Sequence, residues 1–196
     1  MNIDTQKSAV VLIEFQNQWT DKGLYRWLIK NQLTSRNVMK NTRALVDTAR
    51  KKGIKIIHAP LIIDPENKKG WIAWLTFGKV FAKGTSNAGI TKGLFKEGDI
   101  LVTGRYAFDA FVGSNLEQII EDNDIETLFI CDFTTDQCVA KTVKTAIKKG
   151  INSYLISDCT ATMNSFFQWK TERKLRHNVV NHLKAIDCLN GNVEHI

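Results

Sequence analysis

The apolar residues of this chain fall into short continuous runs separated by longer amphipathic stretches. The clearest run is "SAVVLIEF" at residues 8 to 15, where apolar side chains follow one another without polar alternation. A continuous run of this length is typical of a strand covered on both faces. Four more runs share this style, at residues 54–63, 99–103, 126–133 and 152–158, and "KAIDCL" at 184–189 is a weaker sixth candidate.

Stretches with helical periodicity lie between these runs. The stretch at residues 35–53 ends at Gly53, a frequent helix terminator. Ser114 is a candidate N-cap, because Glu117 stands three residues later as in a capping box. Two further helices are predicted at residues 136–150 and 165–183.

Strands that alternate with helices favour βαβ units. We therefore predict an α/β fold of three layers, with a mostly parallel five- or six-stranded sheet and helices on both faces. No linker or repeat divides the chain, so residues 1–196 are predicted to form a single domain.

The segment at residues 64–98 interrupts this alternation, because it carries several aromatic residues without a clear strand. One interpretation is a helix at residues 71–82 that packs its aromatic side chains on the core. The other is a substrate-pocket lid or a dimer contact that includes Trp71 and Trp74.

Composition narrows the class of protein. No apolar run approaches the roughly 20 residues that span a bilayer, and the N-terminal stretch does not have the pattern of a signal peptide. A cytoplasmic protein that does not bind membranes is the simplest interpretation. The net charge is +7, but the basic residues are spread along the chain rather than clustered with stacking aromatics, so we predict no nucleic-acid partner.

The four cysteines show neither a CxxC pair nor zinc-site spacing, and three of them lie in or beside apolar runs. Cys138 is different, because it follows a predicted strand and begins a predicted helix. A thiolate there would be stabilised by unpaired N–H groups and by the helix dipole. On these features alone, however, a cysteine in the first turn of a helix is more often a packing residue than a nucleophile.

Glu14 and Arg105 are predicted to lie near Cys138, because each follows a strand and strands of a parallel sheet present their carboxyl ends at one edge. Glu14 could accept the thiol proton, and Arg105 would lower the pKa of the thiol.

Three blocks in this order resemble the isochorismatase-like cysteine hydrolases, which include nicotinamidases, carbamoylsarcosine-type amidases and isochorismatases. The blocks are "VVLIEFQNQW", "RYAFDAFVGSNL" and "DFTTDQCVAKTVKTAIKKG". The resemblance implies that Cys138 is the nucleophile, with Glu14 in place of the family's Asp and Arg105 in place of its Lys. Asp132 replaces the usual Gly.

The resemblance also implies a non-proline cis peptide at Phe133–Thr134 and an oxyanion hole formed by the N–H groups of Thr134 and Cys138. We expect the substrate pocket to be lined by polar and aromatic residues near the strand ends and in the aromatic segment. These are Gln16, Trp19, Phe108, Trp71 and Trp74.

The two substitutions leave two interpretations open. The longer Glu14 could pair bidentately with Arg105 in a rearranged but working triad. Alternatively, the pair forms a salt bridge across an inactive site.

No metal or cofactor is predicted. The nicotinamidase metal motif, Asp-x-His with a further His, has no counterpart after the second strand, where His58 stands alone and Asp64 has no following histidine. A lone histidine on a strand is more often structural.

The leading prediction for function is cysteine-dependent hydrolysis of a C–N bond in a small non-peptide amide. One alternative is isochorismatase-type vinyl-ether hydrolysis, and another is a catalytically impaired relative that acts as a ligand-binding or interaction protein. The expected partner is a small-molecule substrate, and the resemblance suggests a homo-oligomer, either dimer or tetramer.

Overall fold

The computed structural model describes residues 3–21, 23–64, 66 and 80–192. Six strands form one sheet in the order β3-β2-β1-β4-β5-β6, and every neighbouring pair is parallel. The strands are β1 (Ser8–Ile13), β2 (Lys55–Ala59), β3 (Ile100–Leu101), β4 (Thr127–Phe133), β5 (Asn152–Ala161) and β6 (Val179–Val180).

Seven α-helices lie within the described residues. They are α1 (Asn17–Thr20), α2 (Leu24–Ser35), α3 (Val38–Lys51), α4 (Leu116–Asp122), α5 (Ala140–Lys148), α6 (Ser165–Lys174) and α7 (His182–Leu189). None of these helices has the length and hydrophobicity that a membrane span requires.

The core forms two apolar clusters, one on each face of the sheet. Val10 and Leu12 of β1 pack with residues of α2, α3 and α7, whereas Val11 and Ile13 pack with residues of α4 and α5. All of β1 is buried, which explains its continuous apolar run. The predicted three-layer α/β fold with a parallel sheet is therefore confirmed.

The C-terminal elements differ from the prediction. The segment at 184–189 is not a strand but lies in helix α7, in which Ala185, Cys188 and Leu189 share the buried face. The Asn181 side chain caps this helix by accepting a hydrogen bond from the N–H of Lys184. A short apolar run on one helix face resembles a strand in sequence, and only the cap distinguishes the two.

The sixth strand is instead taken from the end of the predicted helix at residues 165–183. Helix α6 ends at Lys174, and Val179–Val180 then pairs with β5 as strand β6. The apolar spacing predicted one long helix here because a two-residue strand is too short to show a period.

Two other details were not predicted from the sequence. Helix α2 was missed, because only Ile29 and Leu33 of its residues are buried. Ser114 is not the N-cap of helix α4; Asn115 is, and the Ser114 hydroxyl accepts a hydrogen bond from the N–H of Leu116.

The aromatic segment is only partly described. Most of the predicted helix at residues 71–82 lies outside the described residues, so that prediction stays untested there. Phe81 is buried with a left-handed backbone (φ 57°), and Ile63 pairs with Ala82 in an isolated bridge.

Candidate active site

The candidate active site lies at the carboxyl edge of the sheet. In the strand register Ile13 lies beside both Ala59 of β2 and Asp132 of β4, so the chain leaves these strands at the same level. Glu14 is the first residue after β1, and Cys138 follows β4 within one turn. The sheet topology therefore brings together groups that are distant in the sequence.

The Glu14 carboxylate accepts hydrogen bonds from three side chains. Oε1 accepts from the Cys138 thiol at 3.0 Å and from Arg105 Nη2 at 2.6 Å. Oε2 accepts from the indole N–H of Trp19 at 3.1 Å. Glu14 is 2% exposed, so water does not take over these contacts. An acceptor with three donors is held in one orientation.

Arg105 is anchored mainly by backbone carbonyls. Its Nη1 donates to Ala59 O at 2.8 Å, its Nε to Ala107 O at 3.0 Å, and its Nη2 to Phe108 O at 2.9 Å as well as to Glu14. The predicted bidentate pairing with Glu14 is therefore wrong, because a single guanidinium nitrogen contacts a single carboxylate oxygen. The guanidinium instead binds the last residue of β2 and the loop after β3.

A glycine makes this placement of Arg105 possible. Gly104, directly before it, has φ +82°, and a Cβ there would lie 2.6 Å from the carbonyl oxygen of Gly113. A side chain at position 104 would both strain the backbone and collide with the neighbouring loop.

Cys138 lies in a π-helical turn (Thr135–Val139) between β4 and helix α5. The sequence predicted the first turn of a continuous helix, whereas the α-helix begins only at Ala140. Such π-helical turns are rare and occur frequently at functional sites. Here the wider turn carries the thiol that contacts Glu14.

The electrostatics of Cys138 differ from the sequence-based expectation. Burial raises the pKa of the Cys138 thiol well above its usual range, and the Glu14 and Asp132 carboxyls raise it further, while Arg105 lowers it. Arg105 lowers the pKa of the thiol as expected, but burial and the two carboxyls raise it more, so the net shift of the pKa is upward. Burial therefore favours the thiol over the thiolate at Cys138.

The peptide bond between Phe133 and Thr134 is cis, at the position that the resemblance implied. It lies between the end of β4 and the turn that carries Cys138. The N–H groups of Thr134 and Cys138 belong to this same turn.

Gln16, which was predicted to line the pocket, binds backbone groups through its side-chain amide. Its side chain is fully buried; Nε2 donates to Leu61 O and Ala88 O at 3.0 and 2.6 Å, and Oε1 accepts from the N–H of Leu61 at 2.9 Å. An amide whose donors and acceptor all bind backbone is a brace. Gln16 therefore holds the loop after β2 against the end of β1.

The aromatic pocket predictions have different outcomes. Trp19 is buried, and its ring centroid lies 4.7 Å from that of Tyr25, on which it stacks. Its indole N–H donates a hydrogen bond to Glu14 and so positions the carboxylate. Phe108 is half-buried, and Lys141 Nζ lies 4.6 Å from its ring centroid. Trp71 and Trp74 lie outside the described residues.

Two groups near the site were missed as functional candidates. Tyr25 lies on helix α2, and burial together with the Glu14 charge raises its pKa. Asp132 lies at the end of β4 with its side chain fully buried. An acid that interrupts an apolar strand run was the sequence signal for Asp132, whereas Tyr25 had none because helix α2 itself was not predicted.

A protein-family model for the isochorismatase domain matches residues 8–185. This match covers most of the chain and includes all three residues that meet at the carboxyl edge. The chain belongs to the isochorismatase domain family.

Individual relatives of this isochorismatase-family chain agree with that assignment. It is 27% identical over 156 residues to an uncharacterized isochorismatase family protein, YrdC, from Bacillus subtilis, covering 80% of this chain and 74% of that protein. Its fold is similar to a cysteine hydrolase from Pseudomonas syringae pv. phaseolicola (TM-score 0.87, 16% identity, covering 98% and 97% of the two chains). It is also similar in fold to N-carbamoylsarcosine amidase from Thermoplasma acidophilum (TM-score 0.72, 20% identity, covering 90% and 96%).

Three side chains with atoms that could bind a metal ion lie close together in the site, next to the Arg105 guanidinium. The ligand-type atoms of Glu14, Asp132 and Cys138 lie within 4.8 Å of one another. Arg105 Nη2, however, is 2.6 Å from the Glu14 oxygen and supplies the positive charge there. A divalent ion beside it would face a like charge, so these residues do not fit a metal centre well.

His58 has a structural environment on strand β2. Its Nε2 lies 3.0 Å from Asp99 Oδ2, and Asp99 also pairs with Arg50 at 2.5 Å. Burial lowers the pKa of His58, which favours a neutral imidazole. This agrees with the structural interpretation of a lone strand histidine.

Proposed function

We propose that this protein hydrolyses a carbon–nitrogen bond in a small non-peptide amide, with Cys138 as the nucleophile. One observation carries the proposal: the Cys138 thiol donates at 3.0 Å to the Glu14 oxygen that Arg105 also contacts. A nucleophile within hydrogen-bond reach of a base, with the base oriented by a third group, is the geometry of covalent catalysis.

The first half of the reaction forms an acyl-enzyme. Glu14 takes the proton of Cys138 while Sγ attacks the amide carbon, and the carbonyl oxygen becomes an oxyanion. The N–H groups of Thr134 and Cys138 are proposed to bind this oxyanion. Glu14 then returns its proton to the amide nitrogen, so that the C–N bond breaks, the amine leaves and a thioester remains on Cys138.

The second half restores the enzyme. A water molecule gives a proton to Glu14, and its oxygen attacks the thioester carbon. The C–S bond breaks, the acid product leaves, and Cys138 recovers its proton from Glu14. Because burial raises the pKa of the thiol, Glu14 is proposed to take its proton as Sγ attacks.

The contacts of Glu14 favour a working triad over an inactive salt bridge. An inactive pair would turn the carboxylate away from the thiol, whereas Glu14 Oε1 contacts Cys138 and Arg105 together. Arg105 is held by backbone carbonyls, so the carboxylate does not have to move to keep its cation.

The test is ammonia or amine release from a panel of small amides. We expect at least one amide to be turned over and Cys138→Ala to lose about 1,000-fold or more in kcat/KM, because the covalent route is removed. Cys188→Ala is the matched control, since Cys188 is an equally buried cysteine in helix α7. Equal activity of Cys138→Ala and Cys188→Ala would contradict the proposal.

A further inference from the structure

Asp132 is a buried carboxyl that the proposed reaction does not use. It is 0% exposed, and its Oδ1 accepts a hydrogen bond from the N–H of the next residue, Phe133. Its Oδ2 is buried and has no hydrogen-bond partner among the described residues. A buried carboxyl oxygen without a partner is a strong constraint on the ionisation of the group, because an uncompensated charge is far more costly to bury than a neutral acid.

Groups from several elements face Asp132. The loop after β1 brings the acid Glu14, the loop after β3 brings the cation Arg105, and the π-helical turn brings the thiol of Cys138. On the strand β5 side, the register partner is the uncharged Thr160. The adjacent thiol is Cys131, whose pKa burial raises.

The site therefore contains one guanidinium and several acids in a fully buried space. Arg105 makes its short contact with Glu14 and makes no hydrogen bond to Asp132 among the described residues. If Glu14 and Asp132 were both ionised, the group would carry one unbalanced negative charge before any thiolate formed. Like charges this close in a buried site rarely ionise together.

We propose that Asp132 is a neutral carboxylic acid in the resting protein, and that its neutrality is what allows a thiolate to form at Cys138. With Asp132 neutral, proton transfer from Cys138 to Glu14 leaves the net charge of the site at zero: one thiolate, one guanidinium and two neutral acids. With Asp132 ionised, the thiolate would form within 4.8 Å of a second negative charge, and the site would carry a net charge of −1. Asp132 is thus a positioning residue that acts through its charge state, and this role rests on the proposed function of Cys138.

The surroundings of Asp132 favour this charge state. Burial raises the pKa of Asp132 well above its usual range, and Glu14 raises it further, while Arg105 and the Phe133 N–H lower it. Burial and the Glu14 charge together therefore favour the neutral acid.

The first measurement is the carboxyl carbon-13 NMR signal of Asp132 in protein labelled at aspartate, identified by its loss in Asp132→Asn and in Asp132→Gly. The glycine variant carries the residue that the family resemblance places here and serves if the asparagine variant does not fold. We expect the chemical shift of a neutral acid at pH 7. The shift of a carboxylate at pH 7 would overturn the proposal.

The second measurement is the iodoacetamide alkylation rate of Cys138 from pH 6 to 10, followed by peptide mass spectrometry. We expect Asp132→Asn to match the unaltered protein within about two-fold near pH 7 and to become at least ten-fold faster at high pH, a shift of one pH unit or more. The reason is that ionised Asp132 suppresses the thiolate only in the unaltered protein. Asp158→Asn is the control. Asp158 lies on strand β5 and pairs with His182, so its loss should leave the alkylation profile unchanged.

Two results would overturn the proposed role. Profiles that coincide at every pH would show that the charge of Asp132 does not reach Cys138. An Asp132→Asn protein that is already much faster at pH 7 would show that Asp132 is ionised there. Neither measurement needs a substrate. If no amide is hydrolysed, the proposed function is contradicted, but the measured charge state of Asp132 and its effect on Cys138 remain valid.

Discussion

At the scale of single residues, Glu14 is the centre of the site. The sequence predicted that Glu14, Arg105 and Cys138 would lie together, because each follows a strand of a parallel sheet. It could not predict that Trp19 donates to Oε2 or that Arg105 contacts Glu14 through one nitrogen. Those contacts depend on side-chain directions that tertiary packing sets, and no sequence pattern encodes them.

The Trp19 contact leads to a prediction about catalysis. Trp19→Phe keeps an aromatic ring against Tyr25 but removes the N–H that holds Glu14 Oε2. A hydrogen bond to a charged group contributes about 1.5–3 kcal/mol, so we expect kcat to fall by about 10-fold or more with little change in KM. Steady-state kinetics on the amide that is turned over provide the measurement.

Trp27→Phe is the control for this substitution, because Trp27 lies on helix α2 and is 64% exposed. It should leave kcat unchanged. Equal kcat values for Trp19→Phe and Trp27→Phe would show that the indole N–H does not position Glu14.

At the scale of elements, the structure differs from the sequence prediction where elements are short. The two-residue strand β6 and the π-helical turn around Cys138 are too brief to produce a hydrophobic period. The segment at 184–189 was misread as a strand for a related reason, since one buried helix face gave a compact apolar run. The long strands and helix α3 were predicted well, because their burial is decided by many residues at once.

The brace made by Gln16 is testable at this scale, because it joins the end of β1 to the loop after β2. Gln16→Ala removes three buried hydrogen bonds and leaves the N–H and C=O of Leu61 and the C=O of Ala88 unpaired. At about 1 kcal/mol each, this loss should lower the free energy of unfolding by about 3 kcal/mol. Urea denaturation measures it.

Gln118→Ala is the matched control, because Gln118 is exposed on helix α4 and bonds only to Asp122 among the described residues. Its free energy of unfolding should change by less than about 0.5 kcal/mol. If Gln16→Ala changed the free energy of unfolding as little as Gln118→Ala, the brace would contribute little to stability. A direct substrate role for Gln16 would then gain support.

At the scale of the whole molecule, the site exists only because the sheet order places β1, β2 and β4 side by side. Residues 14, 105 and 138 come from three separate loops, and the continuous apolar runs of the strands predicted the parallel sheet that unites them. The complete burial of the site was not predicted. It matters for the proposed chemistry, because burial raises the pKa of the Cys138 thiol and the proposed reaction then depends on Glu14 as the proton acceptor.

The kcat/KM of Glu14→Gln tests this central claim most directly. Glutamine has almost the same shape as glutamate but cannot take the thiol proton, so we expect a loss of about 100- to 10,000-fold in amide hydrolysis. Glu117→Gln, on the exposed face of helix α4, should retain full activity. A Glu14→Gln protein within about ten-fold of the unaltered protein would contradict the claim that Glu14 makes the Cys138 thiolate.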